Sequence, residues 1–144
     1  IRSRLVGSEM CIRDRKEAGV DVRLGTDGSA SNNSLDLRAE AKAASLVQRH
    51  DHWDARVLGP EQTWDLATKG SQDWVTWDLS DIRMRPFGRD GRRLLSNLIY
   101  SGARVLDVFV EGEAVRRDGR TLTLDEDVVA EELEESVTEY YQDV

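Results

Sequence analysis

Hydrophobic and polar positions alternate from Val20 to Leu24, with Val20, Val22 and Leu24 separated by Asp21 and Arg23. That period of two predicts a strand. Gly25 breaks the pattern and opens a loop of small and polar residues running to Asn33. Past the loop the period lengthens: Leu37, Ala41, Ala44 and Val47 fall on one helical face, which predicts a helix over Leu35–Arg49 with Asn33 or Ser34 as its N-cap. The alanines on that face suit close packing on a sheet. Lys16–Gly19 reads as the tail of a preceding helix, closed by a glycine. Strand, loop and helix compose one βα unit of a parallel α/β fold.

Punctuation marks the elements that follow. Leu58–Gly70 is a predicted helix with Pro60 at its first helical position, Glu61 in its first turn and Gly70 at its end. Apolar residues cluster in Trp74–Leu79, a predicted strand. Ile82–Pro86 is extended and leads into a polar loop, and Leu94–Tyr100 forms a short helix closed by Ser101-Gly102. Val105–Arg120 has the form of a hairpin, with turns at Glu111-Gly112 and Asp118-Gly119. Asp125 then caps a terminal helix whose apolar face is Val129, Leu133, Val137 and Tyr140.

Composition narrows the class. The 144 residues amount to one domain or part of a larger one, and 33% of them are charged. No apolar run approaches a membrane span, and no signal-peptide pattern is present. A single cysteine, Cys11, rules out an internal disulfide. Nine acids and no Lys or Arg lie in residues 125–144, so the net charge of −8 belongs mainly to the terminal helix. Its glutamates read as a solvated face, and an acidic balance argues against non-specific nucleic-acid binding. Residues 1–15 stand apart. Met10–Arg15 back-translates to ATG TGT ATA AGA GAC AGR, which resembles a transposon end used in sequencing libraries, so this stretch is set outside the fold as adapter-derived sequence.

Candidate chemistry centres on Asp27, an acidic residue at the exit of a predicted strand, among small residues that admit a close approach. α/β enzymes place catalytic groups there, but an Asx-turn between strand and helix accounts for the same residue. His50-Asp51-His52 has the look of a ligand pair, yet it trails off a helix end, and residues two apart do not share a helical face. It is read as loop histidines, with Trp53 packing over the helix end. Four arginines within Arg85–Arg93 have a single aromatic residue, Phe87, among them and read as a solvated loop.

The segment GTDGSASNNSLDLRAEAKAASLVQ resembles the last barrel-strand segment of the amidohydrolase superfamily. Within it, the segment is most similar to the branch of methylthioadenosine/S-adenosylhomocysteine deaminases and triazine chlorohydrolases. The resemblance implies that Asp27 is both a ligand to one divalent metal, zinc, and the carboxylate that carries a proton to and from the attacking water. LGPEQTWDLATKGS resembles a further family helix. About twenty residues that the family pattern places before the next strand are absent after Ser71-Gln72, which reads as an internal deletion or splice.

The implied fold is α/β: a C-terminal fragment of a TIM-barrel metal-dependent hydrolase plus part of the flanking small β-sandwich. A full barrel takes about 250 residues. The expected divisions are the adapter-derived 1–15, the last barrel strand with its catalytic loop and helices over 16–72, a β-sandwich remnant over 73–124 and the acidic helix of 125–144. The implied activity is hydrolytic deamination of an adenosine-type purine, on a small-molecule substrate, in a cytoplasmic parent that could be a homo-oligomer. The family's His-x-His pair and further histidines have no match here, so the chain is expected to be inactive alone. The alternatives are a non-catalytic interaction module or a fragment of a related chlorohydrolase or cyclic-amidine deaminase.

Overall fold

A computed structural model describes residues 12–142. Cys11 and most of the adapter-like stretch lie outside the described residues, and residues 12–15 begin the first helix. The described chain forms two compact units, one of residues 12–70 and 80–103 and the other of residues 71–79 and 104–142.

The first unit is helical. It comprises α1 (Ile12–Glu17), the single turn α2 (Ser29–Asn32), α3 (Leu37–His52), α4 (Pro60–Thr68), a 3₁₀ turn at Ile82–Met84 and α5 (Gly91–Ser101). Its core is small: Ala41 of α3, Leu58 and Leu66 beside and within α4, Met84, and Leu98 with Ile99 of α5. Fully burying a Leu, Ile or Met side chain is worth about 1.5–3 kcal/mol, so these few residues carry most of the unit's packing. Polar groups inside are mostly satisfied. The Ser45 hydroxyl lies 3.0 Å from the Leu58 carbonyl and 2.6 Å from the Tyr100 hydroxyl, tying α3 to both neighbours. Arg38 and Lys42 of α3 donate to the carbonyls of Ile99 and Tyr100.

Val20–Leu24 differs from expectation. The segment is extended but joins no ladder, and no parallel strand pair occurs among the described residues. A strand is completed by a neighbour that takes its alternate N–H and C=O groups, and here the segment runs beside a helix instead. Its Leu24 N–H donates to the Leu66 carbonyl at 2.9 Å, and Arg23 Nη1 donates to the Lys69 carbonyl. Lys69 and Arg23 both reach the Asp21 carboxylate and hold it below its ordinary pKa.

The start of α3 also shifts. Neither Asn33 nor Ser34 caps it; the cap is Asp36, whose carboxylate accepts from the backbone N–H groups of Arg38 and Ala39. The reason is local. Ser29–Asn32 closes its own turn, Asn33 adopts a left-handed φ of 58°, and the long helix begins only afterwards. The predicted helix of 58–70 is shorter for a similar reason: Leu58 takes a φ of 51° and Gly59 is the cap, with Pro60 at the first helical position as expected.

The second unit is an antiparallel sheet in the order β1 (Trp74–Trp77), β2 (Val105–Val110), β3 (Glu113–Arg117), β4 (Arg120–Thr121), followed by α6 (Glu126–Gln142). Glu111-Gly112 and Asp118-Gly119 turn the chain with positive φ at both central residues, the form that matches the twist of paired strands. The ring of Trp74 stacks on Phe109 at 3.7 Å between centroids. Asp107 accepts from the Asp118 N–H and the Thr76 hydroxyl, and these bonds hold its carboxyl below the usual range. The Asp125 carboxylate receives the N–H groups of Asp127 and Val128 at the start of α6, as expected. The apolar face of α6 is not covered by the described residues: Leu133 is 63% exposed and Val129 and Val137 are also open to solvent.

Replacing Asp36 with Ala is expected to destabilise the helical unit by about 1 kcal/mol through loss of its cap. Urea unfolding followed by helical circular dichroism should show a lower midpoint with an unchanged slope; an unchanged midpoint would contradict the assignment of the cap.

Candidate functional site

Asp27 stands at the end of the extended segment, in the loop that joins it to α2. It is exposed and adopts a φ of 58°, a left-handed conformation that aspartate tolerates better than most residues. One carboxylate oxygen accepts the N–H of the next residue, Gly28, at 2.8 Å, one residue short of the bond that defines an Asx-turn. The same residue therefore bonds its local backbone while remaining exposed.

The loop beyond it is closed on itself. The N–H groups of Ser31 and Asn32 both reach the Gly28 carbonyl, and Asn33 N–H reaches that of Ser29. Asn32 does more, because its side-chain nitrogen lies 2.9 Å from the Thr26 carbonyl and 2.8 Å from Glu40 Oε1. Asn32 lies within the GTDGSASNN stretch, but nothing in the sequence marked this role for it. Its partners are six and eight residues away in chain, on opposite sides of a turn whose shape the sequence alone does not give.

The other candidates lie apart from Asp27. His50 and His52 fall in the last turn of α3 and not in a loop. His52 Nδ1 is 2.9 Å from the Gln48 carbonyl, and the ring of His50 lies 5.6 Å from that of Trp53. Trp53 meets the helix end through the His50 ring, yet at 88% exposure little of it is packed there. Of the arginines near residue 90, Arg92 pairs with Glu61 and Arg85 lies over the Phe87 ring. A cavity of about 440 Å³ lies beside Gln48, Leu58 and Arg56, and Asp27 does not line it. The chemistry of Asp27 is thus displayed on an open surface.

The chain is similar to known proteins over most of its length. It is 32% identical over 130 residues to 5'-deoxyadenosine deaminase of Methanocaldococcus jannaschii, a match that takes in 81% of this chain and 31% of that protein. It is 35% identical over 130 residues to 5-methylthioadenosine/S-adenosylhomocysteine deaminase of Bacillus thuringiensis, covering 77% of this chain and 29% of the relative. Among solved structures, an adenosine deaminase from Xanthomonas campestris with bound zinc superimposes with a TM-score of 0.72 at 27% identity, over 83% of this chain and 31% of that one. Its relatives are adenosine-type deaminases. No family model matches the chain. Beside these deaminases the chain is short, spanning 29–31% of their length. The span matched to the Bacillus deaminase is 130 residues long, yet it takes in only 77% of the 144 residues here, so the deaminase carries residues within that span that this chain lacks.

The zinc of the Xanthomonas deaminase raises the question of whether this chain's residues fit such an ion. A protein zinc site uses at least three ligands drawn from His, Cys, Asp and Glu. Among the described residues no three such side chains come together, at Asp27 or elsewhere. The described residues therefore do not fit a zinc ion by themselves. After incubation with zinc and exhaustive dialysis, the purified chain is expected to retain metal well below one equivalent by atomic emission; a stoichiometric, dialysis-resistant zinc would contradict this.

Proposed function

We propose that this chain is the carboxyl-terminal part of a metal-dependent amidohydrolase that deaminates an adenosine-type purine, and that it is inactive alone. The observation that carries the reading is the 35% identity to a methylthioadenosine/S-adenosylhomocysteine deaminase over 77% of this chain. In this reading the extended segment Val20–Leu24 is the last strand of a parallel barrel, and its neighbours lie in sequence outside this chain. The antiparallel sheet of the second unit is part of the small β-sandwich beside that barrel.

Asp27 is the residue this chain contributes to the chemistry. An exposed carboxylate with one oxygen held by the Gly28 N–H can take the proton of an attacking water. It can return that proton toward the departing amine. Hydrolysis then replaces the ring amino group with oxygen and releases ammonia. Asp27 is also the one ligand this chain would give to a divalent cation, zinc, whose remaining ligands lie outside these residues. The substrate is a small molecule, not a nucleic acid. The parent acts in the cytoplasm, and no helix among the described residues is long and apolar enough to cross a membrane.

The test is to join these residues to the upstream and internal segments of the source gene and supply zinc. Ammonia release from adenosine, 5'-deoxyadenosine and S-adenosylhomocysteine is then followed. The completed protein should release ammonia from at least one of them while the present chain releases none. Asp27→Asn should slow the completed protein by about 10²-fold or more, the scale of a lost proton-transfer group. A completed protein inert toward all three, or one indifferent to Asp27→Asn, would overturn the reading.

A further inference from the structure

The loop that carries Asp27 has little of its own to hold it still. It contains two glycines and four small or hydroxyl residues from Gly25 to Ser31, and the segment before it lacks a strand partner among the described residues. The hydrogen bonds of Gly28, Ser31, Asn32 and Asn33 close the turn internally but attach it to nothing else.

The attachment is Asn32. Its side-chain nitrogen has two hydrogens and two acceptors, the carbonyl of Thr26 and the carboxylate of Glu40. Thr26 is the residue immediately before Asp27. Glu40 lies in the first turn of α3, a helix fixed by burial of Ala41, Ser45 and Gln48 and by the bonds of Arg38 and Lys42 to α5. A continuous path therefore runs from the packed core through α3, Glu40 and Asn32 to the backbone at Asp27. The chemistry of the link is specific to an amide: a carboxylate at position 32 offers no hydrogen to Thr26 and faces the Glu40 carboxylate with like charge.

We propose that Asn32 is a positioning residue for Asp27, acting by cross-linking the Asp27 loop to Glu40 of α3. Its consequence for catalysis rests on the deaminase reading given above; the cross-link itself does not. Misplacing a reacting group by about 1 Å costs about 10²-fold in rate, so loss of the clamp should appear in turnover and not in substrate binding.

The experiment has two arms. In the chain as it stands, ¹⁵N relaxation should give rigid order parameters of about 0.85 for Thr26–Gly28. In Asn32→Ala and Asn32→Asp these should fall below about 0.6, with the amides of Ala41 and Ser45 unchanged as a control for folding. Glu40→Gln keeps an acceptor oxygen and should loosen the loop less than either. In the completed protein, Asn32→Ala should lower kcat by about 10- to 100-fold with KM within about twofold, and Glu40→Gln should lose less. A loop that stays rigid in Asn32→Ala overturns the proposal, as does unchanged kcat in Asn32→Ala when Asp27→Asn abolishes turnover. If Asp27→Asn leaves turnover unchanged, the role of Asp27 falls, and the relaxation arm alone decides whether Asn32 holds the loop.

Discussion

A backbone in the β conformation presents N–H and C=O groups to both sides, and they need partners. Val20–Leu24 has the side-chain alternation of a strand and no strand beside it among the described residues. What remains is the Leu24 N–H on the Leu66 carbonyl and the Val20 N–H on the Arg15 carbonyl, one bond near each end. The position of the segment, of the loop after it and of Asp27 follows from how that shortage is met. Side chains fasten the segment and its loop without pairing the segment's own backbone groups: Arg23 to the end of α4, the Asp21–Lys69 pair, and Asn32 between the loop and α3.

The second unit meets the same requirement within itself. β2 has a partner on each side, the turns at Glu111-Gly112 and Asp118-Gly119 set the register of β3 on β2 and β4 on β3, and Asp107 is enclosed by hydrogen bonds from Thr76 and Asp118. This contrast explains what the sequence made legible. Hairpin turns and helix ends are decided by a few adjacent residues, so Pro60, Gly19, Asp125 and the two turns could be located directly. Strand pairing is decided by distant sequence, so alternation at Val20–Leu24 predicted a strand but could not supply the neighbour that would complete one. The cap of α3 was misplaced for an intermediate reason: Asn33 and Asp36 are both good capping residues, and the single turn of Ser29–Asn32 decides between them.

The candidate site divides in the same way. Asp27 is marked by its place at the exit of an alternating segment and by the resemblance of GTDGSASNN to one superfamily. Asn32 lies in the same stretch, but its role is not legible there, since it rests on two acceptors that meet only after the loop has folded back on α3. The deaminase relatives extend well beyond this chain, which spans 29–31% of their length.

Among the described residues Val20–Leu24 has the alternation of a strand and no ladder, with backbone hydrogen bonds from its N–H groups only near its ends. Amide hydrogen exchange on the intact chain reads this out residue by residue. Slow exchange is expected at Leu24 and Val20, whose N–H groups have backbone acceptors, and fast exchange at Asp21, Val22 and Arg23. Slow exchange at Val22 together with Val20 and Leu24, the alternate protection of a strand paired along its length, would contradict it.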